Sequence, residues 1–459
     1  MESILQFFKD ILSEPALLMG LMALVGLIAL RKPANKVMTG TLKPILGYLM
    51  LGAGADFIVS NLNPLGEMIQ KGFNISGVIP NNEAIVSVAQ TILGVETMSI
   101  LIVGLVVNLI VARFTKFKYI FLTGHHSFFM ACLLSAVLQT AGFNGAMLIA
   151  LGGVILGLVS AILPAIGQKY TLKVTDGDDI AMGHFGSLAY YISAWIGGLV
   201  GKPEDSTEKM QIPEKWSFLR DTTISTALTM MVFYVIAAVA AGSEFVATLS
   251  GGKNMIIFAL MCAMKFAVGV TIVYAGVRMI LGDLLPAFQG IATKIIPDAI
   301  PAVDCAVFFT YAPTAVVIGF VASFIGGVIG MILLGVAGGV LIIPGLVPHF
   351  FCGATAGIYG NATGGKKGAA IGAFVNGLLI TFIPALLLPV LGNLGFQNTT
   401  FGDFDFGIIG IAIGKLYEWL GSVGVIGLVG LLIIAVIVPS FKKTKSNVIN
   451  NVYDDGESI

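Results

Sequence analysis

The hydrophobic positions of the chain form long apolar stretches that are separated by short polar segments. Each stretch approaches the roughly 20 mostly apolar residues that a helix needs to cross the hydrocarbon core of a bilayer. We therefore predict an all-α polytopic membrane protein with about eleven transmembrane helices. The predicted spans cover residues 15–31, 39–61, 95–112, 120–140, 145–166, 221–241, 255–282, 311–334, 338–360, 367–391 and 420–440.

Three further stretches are apolar but are interrupted by polar residues, glycine or proline: 62–93, 176–200 and 283–310. Non-helical backbone is tolerated at membrane depth only where it is buried in protein or lines a cavity. These stretches are therefore predicted to be re-entrant segments or to lie at the membrane surface. The first residues, MESILQFFKDILSE, have the pattern of a short amphipathic helix at the membrane interface.

The composition supports a membrane environment. Of the 459 residues, 57% are hydrophobic and only 11% are charged, whereas soluble domains carry about 25% charged residues. The formal net charge is zero, so there is no electrostatic basis for nucleic-acid binding. The four cysteines lie in apolar stretches without CxxC spacing, and are predicted to be small buried side chains. They are Cys132, Cys262, Cys305 and Cys352.

Basic residues cluster in loops that eleven crossings would place on one side of the membrane. The positive-inside rule makes that side cytoplasmic. The N-terminus is then predicted to lie outside, and the C-terminal tail in the cytoplasm. The clusters are 31–36, 113–118, 169–173, 202–220, 366–367 and the FKKTK segment of the tail.

The two halves of the chain resemble each other at an offset of 222 residues, or slightly more near the end of each half. Four matches in the same order indicate an internal repeat. The matches are Ala53–Gly54 with Ala275–Gly276 and Pro64 with Pro286, Asn82 with Asp304, SFF (127–129) with HFF (349–351), and TDGDDIAMG (175–183) with GDFDFGIIG (402–410).

Basic loops in one half correspond to uncharged loops in the other, so the two copies are predicted to be inverted in the membrane. Inverted repeats are typical of transporters that alternate access around a site near the midplane. The predicted organisation is one transmembrane domain. It comprises repeat 1 at about 15–200, a cytoplasmic linker at about 201–220, repeat 2 with a final helix at about 221–440, and a cytoplasmic tail at 441–459.

Polar residues at the predicted helix breaks indicate where a substrate would bind, because half-helix ends point at the ligand in such transporters. A charged side chain inside a membrane costs about 2.5–3.5 kcal/mol on insertion scales, so such groups are expected to face a cavity or each other. We predict that these groups bind a hydroxyl-rich ligand whose apolar face packs on aromatic rings. The candidates are Asn82, His125 or His126, His184 and Asp304, with Phe128, Phe129 and Phe185 as the aromatic residues.

Some of these residues have competing interpretations. Adjacent helical residues point about 100° apart, so at most one of His125 and His126 is expected to face the cavity well. Glu83 is either a ligand partner or a solvated loop charge. His349 is either a helix cap or a ligand contact.

One charged pair is assigned a structural role. Asp56 and Arg278 occupy equivalent positions in the two copies. A pseudo-twofold axis between the copies could bring them together, and we predict that they form an ion pair near that axis.

These motifs resemble the ascorbate-specific membrane component, enzyme IIC, of the bacterial phosphoenolpyruvate-dependent phosphotransferase system. The resemblance covers nearly the whole chain and is carried by LLMGLMALVGLIALRK, FLTGHHSFF, VTDGDDIAMGHFGSLAYYISAWIGG, IPAVDCAVFFTYAPTAVVIGF and YGNATGGKKGAAIGAFVNG. It implies a homodimer in the bacterial cytoplasmic (inner) membrane, with a scaffold and a mobile core that moves like an elevator. It also implies that L-ascorbate (vitamin C) is taken up and phosphorylated by separate cytoplasmic IIA and IIB phosphocarrier proteins.

The resemblance also assigns substrate-binding residues. In the family pattern, glutamine occupies the positions that are Phe129 and Phe185 here. This difference bears on the identity of the substrate more than on membership of the family. The residues that match the pattern best are His125, His184 and Asp304. The full set that the resemblance implies is Asn82, Glu83, His125, His126, Phe129, His184, Phe185 and Asp304.

No residue of this chain is expected to transfer phosphate, because the loop at 201–220 and the tail are too short to be fused IIA or IIB domains. No cofactor or metal is expected either, since the histidines lack spacing such as HExxH. An ion-coupled secondary transporter of a small polar solute is the alternative, with Asp56, Glu83 or Asp304 as the ion-binding carboxylate. An integral membrane enzyme is a weaker third hypothesis, because no nucleophile–base pair stands out in the sequence.

Overall fold

A computed structural model describes residues 14–74, 77–177, 179–210, 221–392, 394 and 399–441. The predicted interfacial helix at the N-terminus, the second half of the linker and the tail after 441 lie outside these ranges. The helices are α1 (Pro15–Ala29), α2 (Ala34–Phe73), α3 (Asn82–Phe114), α4 (Gly124–Thr140), α5 (Gly145–Val174), α6 (Ser187–Val200), α7 (Thr222–Ala241), α8 (Ser243–Ser250), α9 (Met255–Lys294), α10 (Pro313–Val336), α11 (Leu346–Leu387) and α12 (Phe404–Phe441). The strands are β1 (Ile79–Pro80), β2 (Tyr119–Phe121), β3 (Ala181–Met182), β4 (Ile300–Val303) and β5 (Thr399–Thr400).

The helices confirm the prediction of a polytopic helical membrane protein. Within the described ranges, seven helices are long and apolar enough to cross a membrane, or eight if the bent pair of α7 and α8 forms one span. All eleven predicted spans coincide with helical segments, although several of these segments belong to one longer helix or fall short of a full crossing.

Two of the long helices contain a sharp break at a glycine. Gly365 in α11 has φ 58° and Gly421 in α12 has φ 61°, a left-handed conformation that glycine adopts without steric cost. In α11 the backbones of Gly360 and Gly368 are in contact, whereas eight residues of a straight helix span about 12 Å. The chain therefore folds back on itself at Gly365, and α11 consists of two antiparallel segments.

Two segments that were predicted not to span begin as continuations of helices. Helix α2 runs on through Pro64 to Phe73, and α9 runs on through Pro286 to Lys294. A proline inside a helix removes one backbone hydrogen bond. The long packing contact between α2 and α9 offsets this loss, which the local sequence pattern does not reveal.

The helices form two bundles that share few contacts. The small bundle comprises α1, α2, α7, α8 and α9, and the large bundle comprises α3–α6 and α10–α12. The bundles meet where α9 contacts β4 and the 3-10 helix Cys305–Thr310, and where α2 contacts α11. They also meet where the rings of Phe233 and Phe266 contact Phe320. A polar cavity lies at this boundary.

Four glycines bring α2 and α9 into close contact at the centre of the small bundle. A side chain at Gly47 would meet the backbone of Gly276, and a side chain at Gly54 would meet the backbone of Gly269. Glycine lets helix backbones approach closely inside a membrane. Gly47 and Gly269, like Gly54 and Gly276, are 222 residues apart, so the crossing repeats itself at the offset found in the sequence.

The short strands form two small parallel sheets inside the large bundle. Strand β4 lies between β2 and β3, and β1 pairs with β5. A single bridge from Val78 to Ile342 extends the second sheet. Because the strands in each sheet are parallel, their carboxyl ends lie at one edge, where the polar residues of the candidate site follow.

Candidate functional site

Each predicted polar residue comes directly after a strand and at or near the start of a helix. Asn82 follows β1 and begins α3, whereas Asp304 follows β4 and precedes a 3-10 helix. His184 follows β3 and lies three residues before α6. The second residue of α4, His125, follows β2. Helix N-termini carry unpaired N–H groups and partial positive charge, so this arrangement favours polar and anionic ligand atoms.

These residues converge on a cavity of about 330 Å³ between the two bundles. One wall is a face of α2 that runs from Tyr48 to Val59. The opposite wall is formed by the large bundle, and its polar members are Asn81, Asn82, His125, His126, His184, Asp304 and Asp403. The volume falls at the lower end of the range for small-molecule sites.

His125 connects the two walls. The Tyr48 hydroxyl lies 2.8 Å from His125 Nδ1, and His125 Nε2 lies 3.3 Å from Asp304 Oδ2. Asp304 is buried and also accepts the backbone N–H of Ala306 at 3.0 Å, which caps the 3-10 helix. Asp304 therefore stays fixed while retaining acceptor capacity for a ligand.

The hydrogen bonds of His184 define its tautomer. The backbone N–H of Gly186 donates to His184 Nδ1 at 3.1 Å, and the Tyr190 hydroxyl lies 2.9 Å from the same atom. A backbone N–H can only donate, so Nδ1 is an acceptor and the ring proton is on Nε2. His184 therefore presents an N–H donor, held in place from behind by buried Tyr190.

His126 lies beside His184, with ring centroids 3.7 Å apart. Its ring stacks on Phe406 at 5.7 Å with an interplanar angle of 6°, and its Nδ1 accepts the backbone N–H of Phe185 at 3.5 Å. Both His125 and His126 line the cavity, with His126 the more buried. The expectation that at most one would face it well took no account of the turn at Gly124, which brings the cavity to the end of the helix rather than to one side.

Asp403 is a buried cavity residue that the sequence analysis missed. It accepts Asn82 Nδ2 at Oδ2 and the Cys352 thiol at Oδ1, both at 2.7 Å. Asn82 Oδ1 in turn accepts the backbone N–H of Gly402 at 2.8 Å. The available signal was the motif GDFDFG, which was used only as a repeat match and not as a source of ligand-binding residues.

The aromatic residues occupy two layers. Phe129 lines the cavity, and its ring lies 5.8 Å from those of both His125 and His126. Phe185 is fully buried behind the cavity, where it stacks on Phe121 at 4.9 Å. The side chain of Glu83 lies outside the described residues.

Two further expectations concern charged or titratable residues. Asp56 and Arg278 do not form an ion pair among the described residues, so that prediction is wrong. The helices α2 and α9 cross in antiparallel fashion, which places Arg278 near the level of Gly47, and Asp56 instead lines the cavity. His349 is buried, lies 2.9 Å from the Ser323 hydroxyl through Nδ1, and does not line the cavity.

Two groups of side chains have potential metal-ligand atoms within 4.8 Å of each other. They are His125, His126 and Asp304, and His126, His184 and Asp403. Coordination needs an unprotonated ring nitrogen, but His184 Nε2 carries the proton because Nδ1 is an acceptor. The second group therefore offers hydrogen-bond donors and acceptors rather than three metal ligands.

The fold and the site together define a polytopic membrane protein that encloses a polar cavity of small-molecule size between two helical bundles. Residues 10–405 match the EIIC-GAT family, described as the sugar-specific permease component of the phosphotransferase system (PTS). The chain therefore belongs to this family of PTS sugar permeases. It is also 27% identical to the ascorbate-specific PTS system EIIC component of Mycoplasma pneumoniae, over 84% of this chain and 67% of that protein.

Proposed function

We propose that this chain binds L-ascorbate in the central cavity and carries it inward as the permease subunit of a phosphotransferase system. The convergence of three imidazoles with Asp304 and Asp403 on one cavity supports this proposal most strongly. The His184 N–H would donate to a carbonyl or enolate oxygen of the ligand. The two carboxylates would accept hydrogen bonds from its hydroxyl groups, which are the stronger kind because one partner is charged.

Phosphorylation is assigned to separate proteins. A cytoplasmic IIB protein would supply the phosphate from its own cysteine, and a IIA protein would recharge it. All four cysteines of this chain are buried, which agrees with a phosphate donor on a partner.

Transport is proposed to follow an elevator-type movement in a homodimer of this chain. The small bundle would be the scaffold, and the large bundle would be the core that carries the substrate. The backbones of the two bundles approach each other at few places, which supports this division.

Inverted repeats, eleven crossings and an outer N-terminus remain part of this proposal, and two observations support the repeat. The first is the glycine crossing of α2 and α9, which repeats at an offset of 222 residues. The second is the arrangement of the two sheets. Strand β1 pairs with β5 and the preceding Val78 bridges to Ile342, just as β4 pairs with β3 and β2. Corresponding residues in the two sheets lie about 220 residues apart, within the variation expected of a diverged repeat.

Isothermal titration of the purified protein tests the substrate. We expect L-ascorbate to bind more tightly than a neutral alditol or a simple sugar acid of similar size. Equal or weaker binding of ascorbate would contradict the substrate assignment while leaving the family unaffected.

Uptake into membrane vesicles tests the coupling. We expect uptake to require phosphoenolpyruvate and the soluble phosphotransferase components. Uptake driven by a proton or sodium gradient alone would instead support the ion-coupled alternative. Two of the carboxylates considered for ion binding, Asp56 and Asp304, line the cavity.

A further inference from the structure

One face of α2 lines two neighbouring cavities. The central cavity follows α2 from Tyr48 to Val59, and a second cavity of about 370 Å³ follows it from Leu62 to Gln70. The two cavities share three lining residues, Asn81, Val347 and Pro348. They are therefore adjacent compartments along one helix face.

Six residues of α2 line the second cavity, and three of them are polar; the other three are Leu62, Gly66 and Ile69. Asn63, Glu67 and Gln70 recur every three to four residues, which places them on one side of the helix. Asn63 and Glu67 are exposed, whereas Leu65, which lies between them in the sequence, is buried. Polar side chains on a membrane helix are expected to face water or protein rather than lipid, so this face indicates a hydrated passage.

The opposite wall of the second cavity is formed by residues of the β1–β5 sheet and by residues around the start of α11. It includes Pro80, Pro344 and Thr399. The Thr399 hydroxyl donates to the carbonyl of Ile79 at 3.1 Å, which holds the sheet edge in place. A small hydroxyl-rich molecule could pass between this wall and the amide and carboxylate groups of α2 without a strongly attractive site that would retain it.

Charge gives the direction of the passage. Basic residues 31–36 precede or begin α2, and the positive-inside rule places that end at the cytoplasm. Gln70 is then at the outer end. From Asp56 in the central cavity to Gln70 the helix rises about 21 Å, which would reach from mid-membrane to the outer surface.

We propose that the second cavity is the outer vestibule through which the substrate reaches the central cavity, with Asn63, Glu67 and Gln70 as its polar wall. This assignment rests on the proposed transport function, and it adds the route and the residues along it. If the second cavity is this vestibule, the conformation described here is open to the outside.

Cysteine labelling tests the vestibule. Asn63→Cys, Glu67→Cys and Gln70→Cys are each expressed in the full-length protein and treated with a membrane-impermeant methanethiosulfonate reagent. Ile236→Cys is the matched control, because Ile236 is an exposed apolar residue of α7 that lines neither cavity. Its depth is similar, since Tyr234 and Ala240 of α7 contact Asn61 and Gly72 of α2. The unsubstituted protein gives the background, since its four cysteines are buried.

We expect the three vestibule cysteines to react from outside intact cells at least about tenfold faster than Ile236→Cys, because only a hydrated thiol ionises readily to the reactive thiolate. Labelling equal to that of Ile236→Cys would overturn the passage. Faster labelling in inside-out vesicles than in cells would overturn its direction. Labelling does not depend on the identity of the substrate, so a failure of ascorbate binding would leave this result interpretable.

Discussion

The two walls of the central cavity differ in their chemistry. The α2 wall is mainly apolar or small, with Leu51, Ala55 and Val59 along most of its length. The wall from the large bundle is built of imidazole, amide and carboxylate groups, each placed by the end of a strand. These groups also hold one another, as the bonds from Asn82 and the Cys352 thiol to Asp403 illustrate.

This difference indicates how binding and movement could be separated. A substrate bound mainly by the large bundle keeps its hydrogen bonds when that bundle moves. Apart from Tyr48 and Asp56, the α2 wall offers few directional interactions that would have to break. Substitutions in the polar wall should therefore change affinity most, and substitutions on α2 should chiefly change the relation between the bundles.

The largest expected effect is that of Asp304→Ala. The substitution removes a buried acceptor for the ligand and the anion beside His125. A hydrogen bond to a charged group contributes about 1.5–3 kcal/mol, so the dissociation constant should rise roughly 10- to 150-fold. Isothermal titration measures this change, and size-exclusion chromatography checks that the protein still assembles.

His125→Ala should also weaken ligand binding. His349→Ala is its matched control. His349 is a buried histidine with its own hydroxyl partner, but it lies outside the cavity. We expect normal affinity in His349→Ala, even if its stability falls. Unchanged affinity in both His125→Ala and Asp304→Ala would refute the proposed site.

Asp403→Asn should weaken binding roughly tenfold, because an amide replaces one charged acceptor while the side-chain shape is kept. Glu418→Gln is the control on α12, the helix that follows Asp403, since Glu418 forms an exposed ion pair with Lys415. Titration of both variants should separate a local effect at the cavity from a general effect of charge. Equal affinities in the two variants would remove Asp403 from the site.

Much of this site was predictable from sequence because its residues sit in local motifs. His125, His184 and Asp304 each stand beside a glycine or proline that interrupts an apolar stretch, and the cavity contains all three. Asp403 was missed because its partners, Asn82 and Cys352, are 321 and 51 residues away. Such contacts follow from the sheet pairing of β1 with β5 and not from any local pattern.

The fold was predictable to a similar degree. Hydrophobic stretches predicted the helices, but periodicity could not reveal that α2 and α9 continue through their prolines. The proposed pairing of Asp56 with Arg278 used sequence equivalence alone. It failed because equivalent residues of two antiparallel helices meet only near the crossing point, which lies between Gly47 and Gly54 on α2.

A smaller effect is expected for Tyr190→Phe. The substitution removes the hydroxyl bonded to His184 Nδ1 but leaves the Gly186 N–H, so the tautomer should persist with a less fixed ring. The loss of one neutral hydrogen bond predicts a decrease in affinity of about threefold to fivefold. Tyr359→Phe is the control, because its hydroxyl makes a buried 2.8 Å bond to Thr171 away from the cavity. Equal affinity in the two variants would show that Tyr190 does not position His184.

The smallest effect on affinity, about twofold, is expected for Tyr48→Phe, because the lost hydroxyl bond reaches the site only through His125. This bond joins α2 of the small bundle to α4 of the large bundle, so its loss should ease their separation. We expect faster amide hydrogen exchange over residues 119–130 in the substrate-free protein. Tyr274→Phe on α9 is the control, since its buried hydroxyl has no hydrogen-bond partner among the described residues. Matching exchange rates in the two variants would mean that the Tyr48–His125 bond does not hold the bundles together.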